Sequence, residues 1–120
     1  MITDMWKNVK FVCGNGHETE QEMYVRSSID SIKQIEDVFY ACPKYRPENR
    51  TKGEQPCMNR ISVAECEKIL NMLADEIMRA EEEDRVIRLT NRKYETNVAK
   101  YRILKHDGDS IVVSVLNKKL

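Results

Sequence analysis

The clearest hydrophobic pattern along this chain is an apolar stripe that predicts one long amphipathic helix in its second half. Apolar residues recur there at intervals of four, three, four and three, at Cys66, Leu70, Leu73, Ile77 and Ala80. Residues 62–65, SVAE, form a capping-box sequence, which predicts that the helix begins directly after Ser62. Ile61 and Cys66 are spaced as a hydrophobic staple across this start, so we expect Cys66 to pack in the core.

The end of this helix is less sharply defined than its start. The stripe spacing continues to Asp84 and Ile87, and i, i+4 charge pairs such as Glu81 with Arg85 could carry the helix to about residue 89. The sequence therefore leaves the last helical residue between 83 and 89. A helix of this length also keeps open a homodimer formed through it.

Four stretches have the character of β-strands. Residues 5–12 predict a strand, and residues 18–27 alternate loosely in the way expected of its returning partner. Residues 98–106 and 110–117 are β-rich and flank a turn centred on Gly108. Two such runs around a short glycine turn predict a C-terminal antiparallel β-hairpin.

A short helix and a further strand are predicted between residues 28 and 42. The apolar residues there have helix-like spacing, at Ile29, Ile32, Ile35 and Phe39. We assign the helix to residues 29–36 and expect it to lead into a strand that ends at Cys42. These elements together predict an α+β protein.

Four residues in the N-terminal half have the chemistry and the local context of metal ligands. Cys13 and His17 are separated by three residues, two of which are glycines, and glycine adopts the positive φ that a tight turn between two ligands requires. Cys42 is followed by a proline and Cys57 is preceded by one. Three thiolates and one imidazole suit tetrahedral Zn²⁺, so we predict one structural zinc bound by Cys13, His17, Cys42 and Cys57.

Two alternatives to this ligand set stay open at the level of sequence. Cys66 could replace one of the four residues, although its position as a helix staple favours packing. The cysteines could also be buried, reduced thiols without a metal, since cysteine is often buried.

The two ligand groups, FVCGNGHE and YACPKY with the later QPCMNR, resemble the knuckles of zinc ribbons. The resemblance covers roughly residues 7–60. It departs from the class at Tyr45, where many ribbons carry the second ligand of this knuckle, and Cys57 would then be the displaced ligand. The resemblance implies a zinc-ribbon-like module over residues 1–60, packed as one compact unit with the helix and hairpin of residues 61–120. It implies no activity.

Composition sets further limits. The 120 residues carry a net charge of zero although 33% of them are charged. No apolar run approaches the length of a membrane span, and the first ten residues lack the apolar core of a signal peptide. We therefore expect a cytoplasmic protein that does not act at a membrane, in a compartment where disulfides are disfavoured.

Charge is segregated along the second half of the chain. Residues 61–84 hold eight acids and two bases, net −6, whereas residues 85–120 hold nine bases and three acids, net +6. If the two regions lie apart, the molecule is bipolar and can steer a charged partner. We assign partner binding to the acids Glu81, Glu82, Glu83 and Asp84. An alternative nucleic-acid-binding role falls on Arg92, Lys93, Lys100 and Arg102. The basic loop of residues 43–56 is either a contact loop or a solvated insertion.

Motif spacing argues against an enzyme. The residues that follow His17 and Cys57 break both halves of the zinc-deaminase signature, and four protein ligands would leave no open metal position. We predict a non-enzymatic protein that binds a protein partner. Direct binding of nucleic acid is the weaker alternative, because the net charge is zero.

In size and style the chain also resembles small inhibitors encoded by phages and mobile elements, such as anti-CRISPR proteins. This resemblance implies a partner that handles nucleic acid.

Overall fold

The computed structural model describes residues 5–30, 35–45 and 57–119. Within these ranges the chain is an α+β protein with two sheets and one helix, which lies mid-chain with strands on both sides. In chain order the elements are β1 (Asn8–Cys13), β2 (Tyr24–Asp30), β3 (Ile35–Ala41), β4 (Arg60–Ser62), α1 (Val63–Glu82), β5 (Lys93–Glu95), β6 (Ala99–Asp107) and β7 (Ser110–Asn117). No helix of the described residues is both long and apolar enough to cross a membrane. Most of the predicted basic loop, residues 46–56, lies outside the described ranges.

Four strands form a mixed sheet in the order β1-β7-β6-β5. β6 and β7 pair antiparallel around a turn in which Gly108 has a φ of 58°, a left-handed conformation that glycine adopts readily. β1 lies parallel to β7, with Asn8 opposite Ser110 and Cys13 opposite Val115. The strand that carries the first predicted ligand is therefore held in register by the C-terminal strand.

This sheet has an inner face against the helix and an outer face. In β6, Tyr101 and Ile103 are buried, whereas Lys100 and Arg102 are exposed. The buried side chains belong to one hydrophobic cluster with the inner side of α1, which includes Cys66, Ile69, Leu70, Leu73, Ala74 and Ile77. Burial of this helix stripe against the sheet supplies the main apolar contribution to folding. Among the described residues, no helix covers the outer face.

A second sheet is antiparallel, in the order β2-β3-β4. The predicted short helix at 29–36 is wrong in its described part, because β2 extends to Asp30 and β3 begins at Ile35. These two residues lie opposite each other at the end of a continuous antiparallel ladder. The hydrogen bonds of a strand come from the adjacent strand, which the spacing of isoleucines does not report, and β-branched residues are well suited to strands. Residues 31–34 of the predicted helix lie outside the described ranges.

The start of α1 agrees with half of the capping box. The Ser62 hydroxyl accepts a hydrogen bond from the Glu65 backbone N–H at 3.1 Å, as the sequence predicts. The Glu65 side chain does not return to Ser62. Its carboxylate instead accepts hydrogen bonds from the hydroxyls of Thr96 and Tyr101. This buried carboxylate therefore links the first turn of the helix to the four-stranded sheet.

The helix ends at Glu82, one residue before the earlier of the two limits that the sequence leaves open. Asp84 has a φ of 54°, and its backbone N–H donates to the Glu81 carbonyl while the Arg85 N–H donates to the Ala80 carbonyl. This is the hydrogen-bond pattern of a Schellman motif, with aspartate at the left-handed position where glycine is usual. The Arg85 guanidinium pairs with Glu83 at the helix end and not with Glu81, as the sequence suggested. This ion pair therefore stabilises the helix cap and does not extend the helix by another turn.

Candidate metal centre

The structure brings the four predicted ligands together in one group. The side-chain nitrogen or sulfur atoms of Cys13, His17, Cys42 and Cys57 all lie within 4.8 Å of one another. Cys66 is not part of the group, because it is 1% exposed in the core between α1 and the four-stranded sheet. The arrangement can hold one metal ion with three sulfur ligands and one nitrogen ligand.

Two distances within the group are close to the edges of a tetrahedral zinc site. The sulfur atoms of Cys13 and Cys57 are 3.7 Å apart, and the Cys42 sulfur lies 3.3 Å from Nε2 of His17. A tetrahedron with Zn–S bonds of about 2.3 Å and a Zn–N bond of about 2.0 Å has edges of roughly 3.8 Å between sulfurs and 3.5 Å between sulfur and nitrogen. A disulfide would need about 2.05 Å between sulfurs, so the spacing excludes a Cys13–Cys57 disulfide and is compatible with a shared ion.

The first pair of ligands is positioned by a tight return of the chain after β1. The Cys13 N–H donates to the Gln21 carbonyl at 2.9 Å, and the Met23 N–H donates to the Phe11 carbonyl at 2.8 Å. These bonds close a loop that contains His17. Gly16 in this loop has a φ of 72°, as a glycine turn predicts.

Gly14 is required for a different reason from the one that the sequence suggested. It has no positive φ; instead, a Cβ placed on it would lie 2.8 Å from the Ser114 hydroxyl and 3.0 Å from the Val115 carbonyl oxygen. Its N–H donates to that same carbonyl at 2.8 Å. The loop that holds His17 is therefore packed directly on β7.

The second pair of ligands is brought together by a turn after β3. The Tyr45 N–H donates to the Cys42 carbonyl at 2.8 Å, and the Cys57 N–H donates to the Lys44 carbonyl at 3.0 Å. The chain thus leaves the turn after Tyr45 and returns at Cys57 beside it. The Tyr45 side chain is 7% exposed and packs in a small cluster with Phe39, so Cys57 takes the ligand position that Tyr45 cannot fill.

Each of the three sulfur atoms accepts a hydrogen bond from an N–H group. Asn59 Nδ2 donates to Cys13 at 3.1 Å, the Lys44 N–H donates to Cys42 at 3.4 Å, and Asn15 Nδ2 donates to Cys57 at 3.5 Å. Such bonds favour the thiolate over the thiol, which is the form that binds a metal.

Burial opposes these hydrogen bonds when no metal is bound. Burial raises the pKa of the Cys42 thiol to about 12 and also raises the pKa of Cys13. For Cys57, burial acts in the same direction, but hydrogen bonds from the Asn15 side chain and the Asn59 backbone outweigh it and lower the pKa. Metal binding therefore displaces protons, and three thiolates around Zn²⁺ would leave a net charge of −1.

Asn59 is a buried residue of the centre that the sequence did not indicate. It is fully buried, and besides its bond to Cys13 its side-chain N–H donates to the Val115 carbonyl at 2.8 Å. Its oxygen accepts from the Asn117 backbone N–H at 2.9 Å. The residue thus joins the ligand cluster to β7. An asparagine two positions after a cysteine has no distinctive spacing, so only its burial reveals this role.

The other predicted site residues lie outside the metal centre. Glu81, Glu82, Glu83 and Asp84 are all exposed at the end of α1. Of the four bases assigned to nucleic acid, Lys93, Lys100 and Arg102 line one cavity on the outer face of the four-stranded sheet. Arg92 lies apart from them, since its guanidinium pairs with Glu76 of the helix at 3.5 Å.

Comparison of the chain with protein-family models, with curated proteins and with solved structures found no match.

Proposed function

We propose that this protein is a zinc-stabilised, non-enzymatic interaction module that binds a protein partner. The observation that supports it is the group of four ligands, because three cysteines and one histidine complete a tetrahedral shell and leave no position for a substrate. The zinc then has a structural role. It joins the loop after β1, the turn after β3 and the segment before β4.

We also propose that the two ligand pairs are zinc-ribbon-like knuckles. Each pair lies at a turn that follows a strand, and N–H groups point at the sulfur atoms. The arrangement differs from a simple ribbon because β1 belongs to the sheet of the C-terminal strands, while β3 belongs to the other sheet. The metal would therefore connect two sheets that share no ladder.

The partner surface that we propose is the acidic end of α1. Four consecutive acids, residues 81–84, surround the negative end of the helix dipole, where each acid is disfavoured by about 0.3–1 kcal/mol. A local arrangement that costs stability is expected where binding requires it. Val86, directly beyond the acids, is 90% exposed and adds an apolar contact to this surface.

The chemistry of this surface fits a basic partner. The acids lie on the side of the sheet that carries the helix, whereas Lys93, Lys100 and Arg102 belong to the outer face, so the molecule is bipolar. An acidic patch on a neutral protein can be steered to the positively charged channel of an enzyme that handles nucleic acid. We propose an inhibitor of such an enzyme, of the kind that phages and mobile elements encode and comparable in style to anti-CRISPR proteins.

The proposal is tested by capture of partners from host cells with the tagged, zinc-loaded chain, repeated after nuclease treatment. We expect a captured protein that survives the nuclease and is lost when Glu81, Glu82 and Glu83 are replaced with lysine. The matched control reverses three exposed acids elsewhere, Glu67, Asp75 and Asp107, and is expected to keep the partner. Equal loss in both variants, or loss of every partner on nuclease treatment, would contradict the proposal.

A further inference from the structure

The outer face of the four-stranded sheet forms a trough between the β5 edge and the metal centre. One cavity of about 620 Å³ is lined by residues of β5, β6 and β7 together with Gly14. A second cavity of about 260 Å³ reaches His17 and shares Gly14, Arg102 and Ser114 with the first. Because the two cavities share these residues, they adjoin each other across the strands, and we call the two together the groove.

Three cations, Lys93, Lys100 and Arg102, line this groove together with one acid, Glu95. Lys93 lies directly opposite Arg102 in the β5–β6 ladder, and like charges at opposite positions destabilise a sheet. Glu95, which lies opposite Lys100, pairs with Lys118 at 3.3 Å. Within the described part of the chain, no ion pair involves Lys93, Lys100 or Arg102. An anion bound between Lys93 and Arg102 would remove their repulsion.

The acidic residues of the helix do not neutralise this groove. α1 packs on the inner face through the cluster that contains Tyr101 and Ile103, and its acidic end is on that side. At the other end of the groove, Glu20 lies near the metal centre, but its carboxylate pairs with Lys10 at 3.5 Å. The middle of the groove and its β5 end are therefore the positive part.

We propose that this groove binds the phosphate backbone of a single-stranded nucleic acid. Three adjacent cations with a hydroxyl donor at Ser114 match the repeating anions of such a strand, which contacts proteins largely through Lys, Arg and Ser side chains. The volume is that of a pocket for one drug-sized ligand, which corresponds to a few nucleotides of one strand.

The groove offers little to the bases. Tyr94 and Tyr101, the aromatic residues next to the cations in sequence, bond through their hydroxyls to Glu76 and Glu65 of the helix. They therefore point to the inner side and provide no stacking platform, which single-strand binders normally use. Binding is then weak, independent of sequence, and electrostatic.

Salt dependence gives the proposal a numerical form. Three phosphate contacts predict that the logarithm of the association constant falls with the logarithm of salt concentration with a slope of about −2. The measurement is fluorescence anisotropy of a labelled mixed-sequence DNA strand titrated with the zinc-loaded chain at several salt concentrations. We expect micromolar affinity at low salt.

The double variant Lys100→Ala with Arg102→Ala should weaken binding about tenfold at low salt. It should also make the salt dependence shallower, with a slope between 0 and about −1. The matched control, Lys68→Ala with Arg79→Ala, removes the same charge from exposed positions on the helix and should stay within about twofold of the unchanged chain. Circular dichroism and zinc content establish that both variants are folded.

Four results would overturn the proposal. They are no binding at protein concentrations of about 100 micromolar, equal weakening by both double variants, tighter binding of duplex than of single strand, and competition by polyglutamate as effective as competition by unlabelled DNA. The last result would assign the groove to an acidic polypeptide. These four results leave the proposed partner-binding role of the acidic end of α1 untouched. That role is tested separately, by capture of a protein partner after nuclease treatment.

Discussion

Replacement of Asn59 with alanine tests whether the metal centre and the C-terminal strand form one cooperative unit. The change removes three hydrogen bonds, to the Cys13 sulfur, the Val115 carbonyl and the Asn117 N–H. The Val115 carbonyl keeps the bond from the Gly14 N–H, and Asn117 is near enough to the surface to bond water. The Cys13 sulfur loses the shortest of the hydrogen bonds that the three ligand sulfurs accept.

The expected effect is large for a single side chain. A net contribution of about 1 kcal/mol for each of the three bonds predicts a loss of about 3 kcal/mol in the free energy of unfolding. That is a substantial share of the 5–15 kcal/mol typical of small domains. Removal of a hydrogen-bond donor to a metal ligand should also weaken zinc binding by about tenfold or more.

Urea unfolding followed by fluorescence of the single tryptophan measures the first effect. Trp6 is 4% exposed and packs in the same core cluster as β7, so it reports on the sheet. Competition with a chromophoric chelator measures the second. The control is Asn15→Ala, which removes one longer hydrogen bond, of 3.5 Å, from an exposed side chain and should cost less than about 1 kcal/mol. Unchanged zinc affinity and equal stability of the two variants would refute the proposed coupling.

Two further predictions concern the helix. Cys66→Ala should keep one zinc per chain and lower the free energy of unfolding by roughly 1–2 kcal/mol, because the thiol is packed in the core. Loss of the metal in this variant, with Cys57→Ala retaining it, would show that Cys66 rather than Cys57 is the ligand. Asp84→Gly should raise the free energy of unfolding by about 0.5–1 kcal/mol, because the residue has a φ of 54° at the helix end. The control Asp75→Gly, inside the helix, should lower it by roughly 0.3 kcal/mol, and a loss at Asp84 would contradict the Schellman assignment.

The sequence indicated the metal ligands because their chemistry is unusual and local. Cys13 and His17 flank two glycines, and Cys42 and Cys57 adjoin prolines, so residue types and turn signals agreed at each position. The helix start was equally local, since Ser62 and the apolar stripe lie within a few residues of each other. The reciprocal bond from Glu65 did not form, because Tyr101 and Thr96, more than 30 residues later, bind its carboxylate.

Interactions between distant parts of the chain were not predicted. The parallel pairing of β1 with β7 joins Asn8 to Ser110, and no local pattern identifies the partner of a strand. The helix assigned to residues 29–36 is wrong in its described part for a related reason, because the spacing of apolar residues fits a helix but an adjacent strand supplies the hydrogen bonds. Asn59 was missed because a buried polar residue is recognised by its partners, which are distant in sequence.

The sequence shows that acidic and basic residues are segregated, but it does not show whether the two regions lie against each other or apart. The counts of −6 and +6 fit either mutual neutralisation or separation. The structure shows both, because Arg92 pairs with Glu76 of the helix at 3.5 Å. Lys100 and Arg102, in contrast, face away from the helix that packs on Tyr101 and Ile103. The boundary at residue 60 between two modules stays a prediction.

The most direct test of the account is the zinc content of the chain purified without added metal. Elemental analysis should find one zinc per chain, and replacement of Cys42 or Cys57 with serine should abolish it. Structural zinc contributes on the order of 10 kcal/mol to the folding of its module, so a strong chelator should unfold the region around the two ligand pairs. A metal-free chain that is fully folded, with unchanged stability in the two serine variants, would contradict the central claim.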